Sequence, residues 1–127
     1  MRIVVTGGAG FIGSHFIKYI LKKYPDYNIL NIDKLTYAGN LENLTEVKDN
    51  PNYIFLKEDI CNRGAIESAI SSYDAIINFA AATHVDRSIQ EPEIFLKTDV
   101  MGTFNLLEIS RKKGITRYIQ ISTDEVF

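Results

Sequence analysis

The stretch VVTGGAGFIGSH, Val4 to His15, decides the fold. An apolar run, RIVVT from Arg2 to Thr6, leads into it and reads as a buried strand. Behind it Ile12, Phe16, Ile17, Ile20, Leu21 and Tyr24 recur at helical spacing, so the glycines sit between a strand and a helix. They fit two patterns. Gly8, Gly10 and Gly13 match G-x-G-x-x-G, while Gly7, Gly10 and Gly13 match G-x-x-G-x-x-G after Thr6. Both serve one need. A tight turn takes positive φ, which only glycine adopts cheaply. A pyrophosphate must approach the backbone where a Cβ would clash, and the helix N-terminus offers free N–H groups and partial positive charge.

The pattern continues outward. Lys22 and Lys23 fill the last turn of the first helix and Pro25 follows it. NILNID, Asn28 to Asp33, is predicted as the second strand, and KLTYAGNLENL as a loop with a short helix from Leu41. YIFLK, Tyr53 to Lys57, is predicted as the third strand, with Asn62 as N-cap of the helix after it. AIINFAA, Ala75 to Ala81, is predicted as a fourth strand. Pro92 opens a long predicted helix to about Lys113, ended by Gly114, and RYIQIS, Arg117 to Ser122, is the fifth strand. Strands apolar on both faces, alternating with helices, predict an α/β fold: a doubly wound parallel sheet, Rossmann-like, of order 3-2-1-4-5.

Asp33 lies about twenty residues beyond the last glycine, at the end of the second strand. A carboxylate there accepts hydrogen bonds from an adenosine ribose and repels a 2′-phosphate, which favours NAD over NADP. Lys34, next to it, pulls the other way.

Composition narrows the classes. The 127 residues suit one domain, 46% apolar and 24% charged, with net charge −2. That balance gives no reason to expect a nucleic-acid or membrane partner. The N-terminus lacks the apolar core of a signal peptide and no apolar run spans a bilayer, so a cytoplasmic location is expected. Cys61 is the one cysteine, which excludes an internal disulfide and fits a reducing compartment. His84 has no second histidine or cysteine at metal spacing, and no metal site is expected. Arg87 suits either a phosphate or an ordinary hydrogen-bonded loop in which Asp86 caps a turn, and His15 reads as structural.

TGGAGFIGSH, DKLTYAGNLENL, EDI, AAATHVDRSI, TDVMGT and ISTDEVF together resemble the extended short-chain dehydrogenase/reductase superfamily. Within it the chain resembles, from Met1 to Phe127, the N-terminal part of the dTDP-glucose 4,6-dehydratase family. That resemblance implies an NAD-dependent lyase of nucleotide-sugar metabolism, such as serves rhamnose biosynthesis. It also assigns roles. Gly7, Gly10 and Gly13 would carry the pyrophosphate, with Phe11 and Ile12 beneath it. Asp33, Lys34, Leu35 and Thr36 would hold the adenosine ribose, and Asp59 and Ile60 would flank the adenine. Phe79, Ala80, Ala81, Ala82 and Thr83 would line the cofactor, Thr83 also reaching substrate, and Thr98 would touch NAD. Thr123 would bind the sugar, Asp124 would be the dehydration acid and Glu125 the base. In that family hydride leaves the sugar C4 for NAD, the new ketone acidifies the C5 proton, one carboxylate removes it, and the other protonates the departing C6 hydroxyl. Hydride then returns to C6. Two carboxyl groups in different protonation states at one pH need environments that separate their pKa values. Adjacent residues of a regular strand face opposite ways, so the pair can serve one sugar only if the strand has ended by Thr123.

Three positions depart from the family pattern: Ala82 for Glu or Gln, Asp99 for Asn, and Phe127 for Tyr. An ionised Asp99 accepts but cannot donate. The family also uses a Tyr-x-x-x-Lys pair on the helix after the fifth strand, the tyrosine to take the C4 proton, the lysine to hold the ribose and lower the tyrosine pKa. No Tyr-x-x-x-Lys spacing is expected in these residues, and the later strands and substrate domain are expected to be absent. On this reading residues 1–127 are an incomplete NAD-binding domain, truncated and inactive alone, with an open edge strand and helix face that favour self-association beyond the family's dimer. The alternatives are a nucleotide-sugar 4-epimerase or decarboxylase fragment, and a dinucleotide-binding module without chemistry.

Overall fold

In a computed structural model, residues 1–35, 40–80 and 100–122 are described. The elements run β1 (Arg2–Thr6), α1 (Phe11–Lys23), β2 (Asn28–Asp33), a 3-10 turn (Leu41–Leu44), β3 (Tyr53–Lys57), α2 (Arg63–Ala69), β4 (Ala75–Asn78), α3 (Gly102–Lys113) and β5 (Arg117–Gln120). The strands form one five-stranded sheet, ordered β3-β2-β1-β4-β5. Every pairing is parallel, with Val4 opposite Leu30 on one side and Ile76 on the other. The expected order and fold class are therefore observed.

Strand alternation builds two cores, since successive side chains point to opposite faces. Ile3, Val5, Ile29 and Ile77 meet Ile17 and Leu21 of α1. Val4, Leu30, Ile32 and Ile76 meet Ile66 of α2 and Leu106 and Ile109 of α3. Ile76 is 0% exposed, and its truncation to alanine would cost about 2–5 kcal/mol. Burial on both faces accounts for the continuous apolar runs in β1 and β4.

The helix ends obey their local chemistry. Asn62 Oδ1 accepts the Ala65 N–H at 3.4 Å, as the N-cap of α2. Gly114 ends α3 at φ 69, behind Arg111, Lys112 and Lys113. Asn40 Oδ1 accepts the Glu42 N–H at 2.9 Å and starts the 3-10 turn.

Some boundaries differ from the sequence expectation. β4 ends at Asn78, because Asn78 Oδ1 takes the Ala80 N–H at 2.9 Å and draws the backbone out of the ladder. β5 ends at Gln120. The buried face of α1 holds Gly13, Ser14, Ile17 and Leu21, whereas Ile12 is 64% and Tyr24 39% exposed. Pro92, the predicted start of the long helix, lies outside the described residues. No helix among the described residues is long and apolar enough to cross a membrane.

Candidate cofactor site at the carboxyl edge of the sheet

The site grows from the turn between β1 and α1. Gly7 has φ 74, and a Cβ there would stand 2.5 Å from the Ala80 nitrogen and 2.7 Å from the Phe79 carbonyl carbon. So Gly7 both supplies the left-handed step and lets the end of β4 cross close over it. A Cβ on Gly13 would lie 2.6 Å from the Gly7 carbonyl oxygen, so that residue keeps the helix against the turn. Gly10 is the N-cap of α1, in extended backbone. Gly8 points inward, its N–H donating to the buried Asn31 Oδ1 at 3.0 Å. A Cβ on Gly8 would collide with the side chains of Asn31 and Ile17, so the geometry excludes a side chain at the first glycine of either pattern.

No side chain caps the N-terminus of α1, and its first turn carries no acid. N–H groups at such an end are left to an outside anion. Phe11 and Ile12 stand beside it 74% and 64% exposed. His15 takes a structural part, its Nδ1 2.7 Å from the Phe11 carbonyl oxygen and its ring 4.7 Å from that of Phe11.

Asp33 binds this turn directly. Its Oδ2 accepts the Ala9 N–H at 2.8 Å and its Oδ1 accepts the Leu35 N–H at 2.7 Å. A carboxylate has about four acceptor positions, so lone pairs remain for a diol. The Ala9 carbonyl in turn accepts the Asn40 N–H at 3.0 Å and Asn43 Nδ2 at 3.1 Å. Leu35 has φ 60, a left-handed step for a branched side chain, held by that Asp33 bond.

Lys34 Nζ lies 3.2 Å from Asp59 Oδ2. Burial works against ionisation of Asp59, but the Cys61 N–H and Lys34 outweigh it and hold the carboxyl below its ordinary value. Ile60 is 4% exposed, in the core beneath Gly102, and its carbonyl accepts Asn105 Nδ2 at 3.0 Å, so its side chain is not at the edge. Phe79 is part-buried against Phe16, ring centres 5.4 Å apart, and its N–H donates to the Thr6 carbonyl at 2.8 Å.

A polar row that sequence reasoning did not find braces this edge. Thr6, Asn78 and Gln120 occupy one register row of β1, β4 and β5. Thr6 Oγ1 donates to Asn78 Oδ1 at 2.6 Å, and Asn78 Nδ2 donates to Gln120 Oε1 at 3.0 Å. Asn31 does the same on the opposite face, donating from Nδ2 to the Tyr53 hydroxyl at 3.0 Å. The available signal was an asparagine among the apolar residues of each of two strands, Asn31 in β2 and Asn78 in β4. Burial raises the Tyr53 pKa, the Asn31 contact opposing it.

The structure thus brings Gly7, Gly10, Phe11, Ile12, Gly13, Asp33, Lys34, Leu35, Asp59, Phe79 and Ala80 to one region. Thr36, Ala81, Ala82, Thr83, His84, Asp86, Arg87, Thr98, Asp99, Thr123, Asp124, Glu125 and Phe127 lie outside the described residues. β5 ends at Gln120, before Thr123.

The family model described as GDP-mannose 4,6 dehydratase matches residues 4–127. The chain belongs to the GDP-mannose 4,6-dehydratase family. This member of the family is 47% identical to a dTDP-glucose 4,6-dehydratase of Neisseria meningitidis, over 99% of its own length and 38% of the relative's. A dTDP-glucose 4,6-dehydratase structure from Streptomyces venezuelae, solved with NAD bound, superposes with TM-score 0.94 at 45% identity, over 99% of this chain and 40% of that one. A UDP-glucose 4-epimerase structure from Thermotoga maritima has TM-score 0.86 at 34% identity, over 97% and 38%. This family member therefore spans about two fifths of the length of the relatives it matches.

One expectation needs correction. The Tyr-x-x-x-Lys spacing does occur, as Tyr19 with Lys23 and as Tyr53 with Lys57. Neither pair stands on a helix after β5. Lys23 Nζ donates to the Tyr19 hydroxyl at 3.0 Å, which raises the lysine pKa together with the charge interactions of Tyr19 and Tyr24. That pair occupies the last turns of α1, roughly 10–20 Å along the axis from the glycine turn. Tyr53 is 8% exposed on β3. Lys57 stands opposite Asp33 in the sheet register, but its tyrosine is buried four residues back along the strand, so neither spacing puts a tyrosine at the glycine turn.

Proposed function

We propose that this chain is the NAD-binding part of a dTDP-glucose 4,6-dehydratase. The observation that carries the cofactor reading is the bond from Asp33 to Ala9, which sets a ribose acceptor against a glycine turn that has a free helix N-terminus. Phe11, Ile12, Phe79 and Ala80 give the pyrophosphate and nicotinamide half its walls, and Lys34, Leu35, Thr36 and Asp59 the adenosine half. Bound NAD would take hydride from the sugar C4 and return it to C6. This chain's own residues bind and orient: the turn holds the pyrophosphate, Asp33 the ribose diol, and Thr83 and Thr123 the sugar. Asp124 gives a proton to the leaving C6 hydroxyl and Glu125 removes the C5 proton. Dehydratase rather than epimerase is supported by the identity of 47% against 34%, and by the adjacent carboxylates of STDEV.

In this reading residues 1–127 bind NAD and do not complete the dehydration, because no Tyr-x-x-x-Lys pair stands beyond β5 to take the C4 proton. The reaction belongs to a cytoplasmic polypeptide of the relatives' length and to deoxysugar formation of the rhamnose type. The test is calorimetric titration with NAD, beside mass-spectrometric detection of water loss from dTDP-glucose. NAD binding without turnover is the expected result. Steady turnover by these 127 residues overturns the incomplete-site reading, and no NAD binding overturns the cofactor reading.

A further inference from the structure

We propose that Asp59 sets the preference for NAD over NADP by keeping Lys34 neutralised and away from the ribose 2′ position. This rests on the cofactor reading above and goes beyond contact with an adenine. Asp33 and Lys34 are consecutive at the end of β2 and carry opposite charges. A 2′-phosphate brought there would be repelled by the first and attracted by the second. The structure shows which prevails. Both Asp33 oxygens are held by backbone N–H groups, of Ala9 and Leu35, and by no cation among the described residues, so its negative charge stays in force. Lys34 Nζ lies 3.2 Å from Asp59 Oδ2, so its charge is matched.

Asp59 is itself aimed. Its Oδ1 accepts the Cys61 N–H at 2.9 Å, and its own N–H donates to Glu58 Oε1 at 2.9 Å. The Glu58 N–H donates to the Asp33 carbonyl at 3.2 Å and ties the ends of β2 and β3 together. The five charges at this edge, of Asp33, Lys34, Lys57, Glu58 and Asp59, sum to one negative charge. Without the Asp59 carboxylate they sum to zero, with a free ammonium beside the ribose. Lys34 keeps a side chain 60% exposed, so it is free to swing once released.

The experiment measures the dissociation constants of NAD and of NADP by calorimetry, for wild type, Asp59→Asn, Lys34→Ala and the double variant. Any loss of shared adenine contact cancels in the NADP-to-NAD ratio. Asp59→Asn is expected to lower that ratio about tenfold, the size of one charge-assisted hydrogen bond. The double variant is expected to restore the wild-type ratio, and Lys34→Ala alone to raise it modestly, because Asp59 then adds its unpaired charge to that of Asp33. Asp59→Ser carries the same expectation should the amide disturb the fold. An unchanged ratio in the Asp59 variants overturns the proposal, as does a shift that survives in the double variant. A wild-type protein that binds neither nucleotide overturns the cofactor reading, and this proposal with it.

Discussion

The carboxylate of Asp33 accepts the backbone N–H of Ala9 at 2.8 Å, across the gap between β2 and the glycine turn. One side chain therefore shapes the turn and, in the proposed site, faces the ribose. Asp33→Ala is expected to lower unfolding free energy by about 1–3 kcal/mol, since the Ala9 and Leu35 N–H groups lose their acceptor. It is also expected to weaken NAD binding by roughly tenfold or more. Urea denaturation and calorimetry check the two effects separately. Full stability with lost affinity would show that the turn needs no brace.

Gly7 is the least replaceable residue of the turn. Its φ of 74 alone would cost a substituted alanine about 1–2 kcal/mol. The Cβ would also meet backbone atoms of Phe79 and Ala80 within 2.7 Å, and backbone cannot step aside as a side chain can. Gly7→Ala is expected to lose more than that strain in urea titrations and to abolish NAD binding. Gly64→Ala, where a Cβ meets nothing within 4 Å, is the control expected to be neutral or stabilising.

Asn78 links three strands. Its removal leaves the Thr6 hydroxyl and the Ala80 N–H without their acceptor. Asn78→Leu is expected to destabilise by about 1–3 kcal/mol for each group left unpaired. Hydrogen exchange at the Ala80 amide should accelerate in the variant. Protection as in wild type would contradict the bracing role.

Acid should release the Lys34 contact. Asp59 has its folded pKa below the ordinary carboxylate value: burial opposes ionisation but the Cys61 N–H and Lys34 outweigh it. Its stabilising share is therefore present above the unfolded pKa, about 4, and is lost as pH falls through the lower folded value. Carboxyl NMR of the wild type should show that low midpoint, and Lys34→Ala should move it upward. An unmoved midpoint would mean that Lys34 contributes nothing.

The outer edge of the sheet carries apolar surface. Ile119 and Ile121 are 50% and 39% exposed, and Val100, Met101, Phe104 and Leu107 are each about half exposed at helical spacing. Light scattering is expected to show concentration-dependent self-association of the 127-residue chain, reduced by Ile119→Lys. A monomer mass at high concentration for the wild type would end this expectation.

Residues close together in the chain carried most of the fold. Strands β1, β2 and β3 have the predicted bounds because apolar alternation with helices is a local signal, and right-handed crossovers leave few sheet orders. Gly7, Gly10, Gly13 and Asp33 were legible for the same reason: a turn, a helix start and a strand end each leave a local mark. Tertiary structure alone decided what those residues touch. That Asp33 holds Ala9, that Asp59 holds Lys34, and that Thr6, Asn78 and Gln120 share a row depend on register between strands distant in sequence. Spacing alone also offered two Tyr-x-x-x-Lys pairs, and only their places on α1 and β3 show that neither puts its tyrosine at the glycine turn. A sequence specifies which groups exist and how they repeat; the distance between two of them, on which hydrogen bonding and charge pairing depend, is set when the sheet closes.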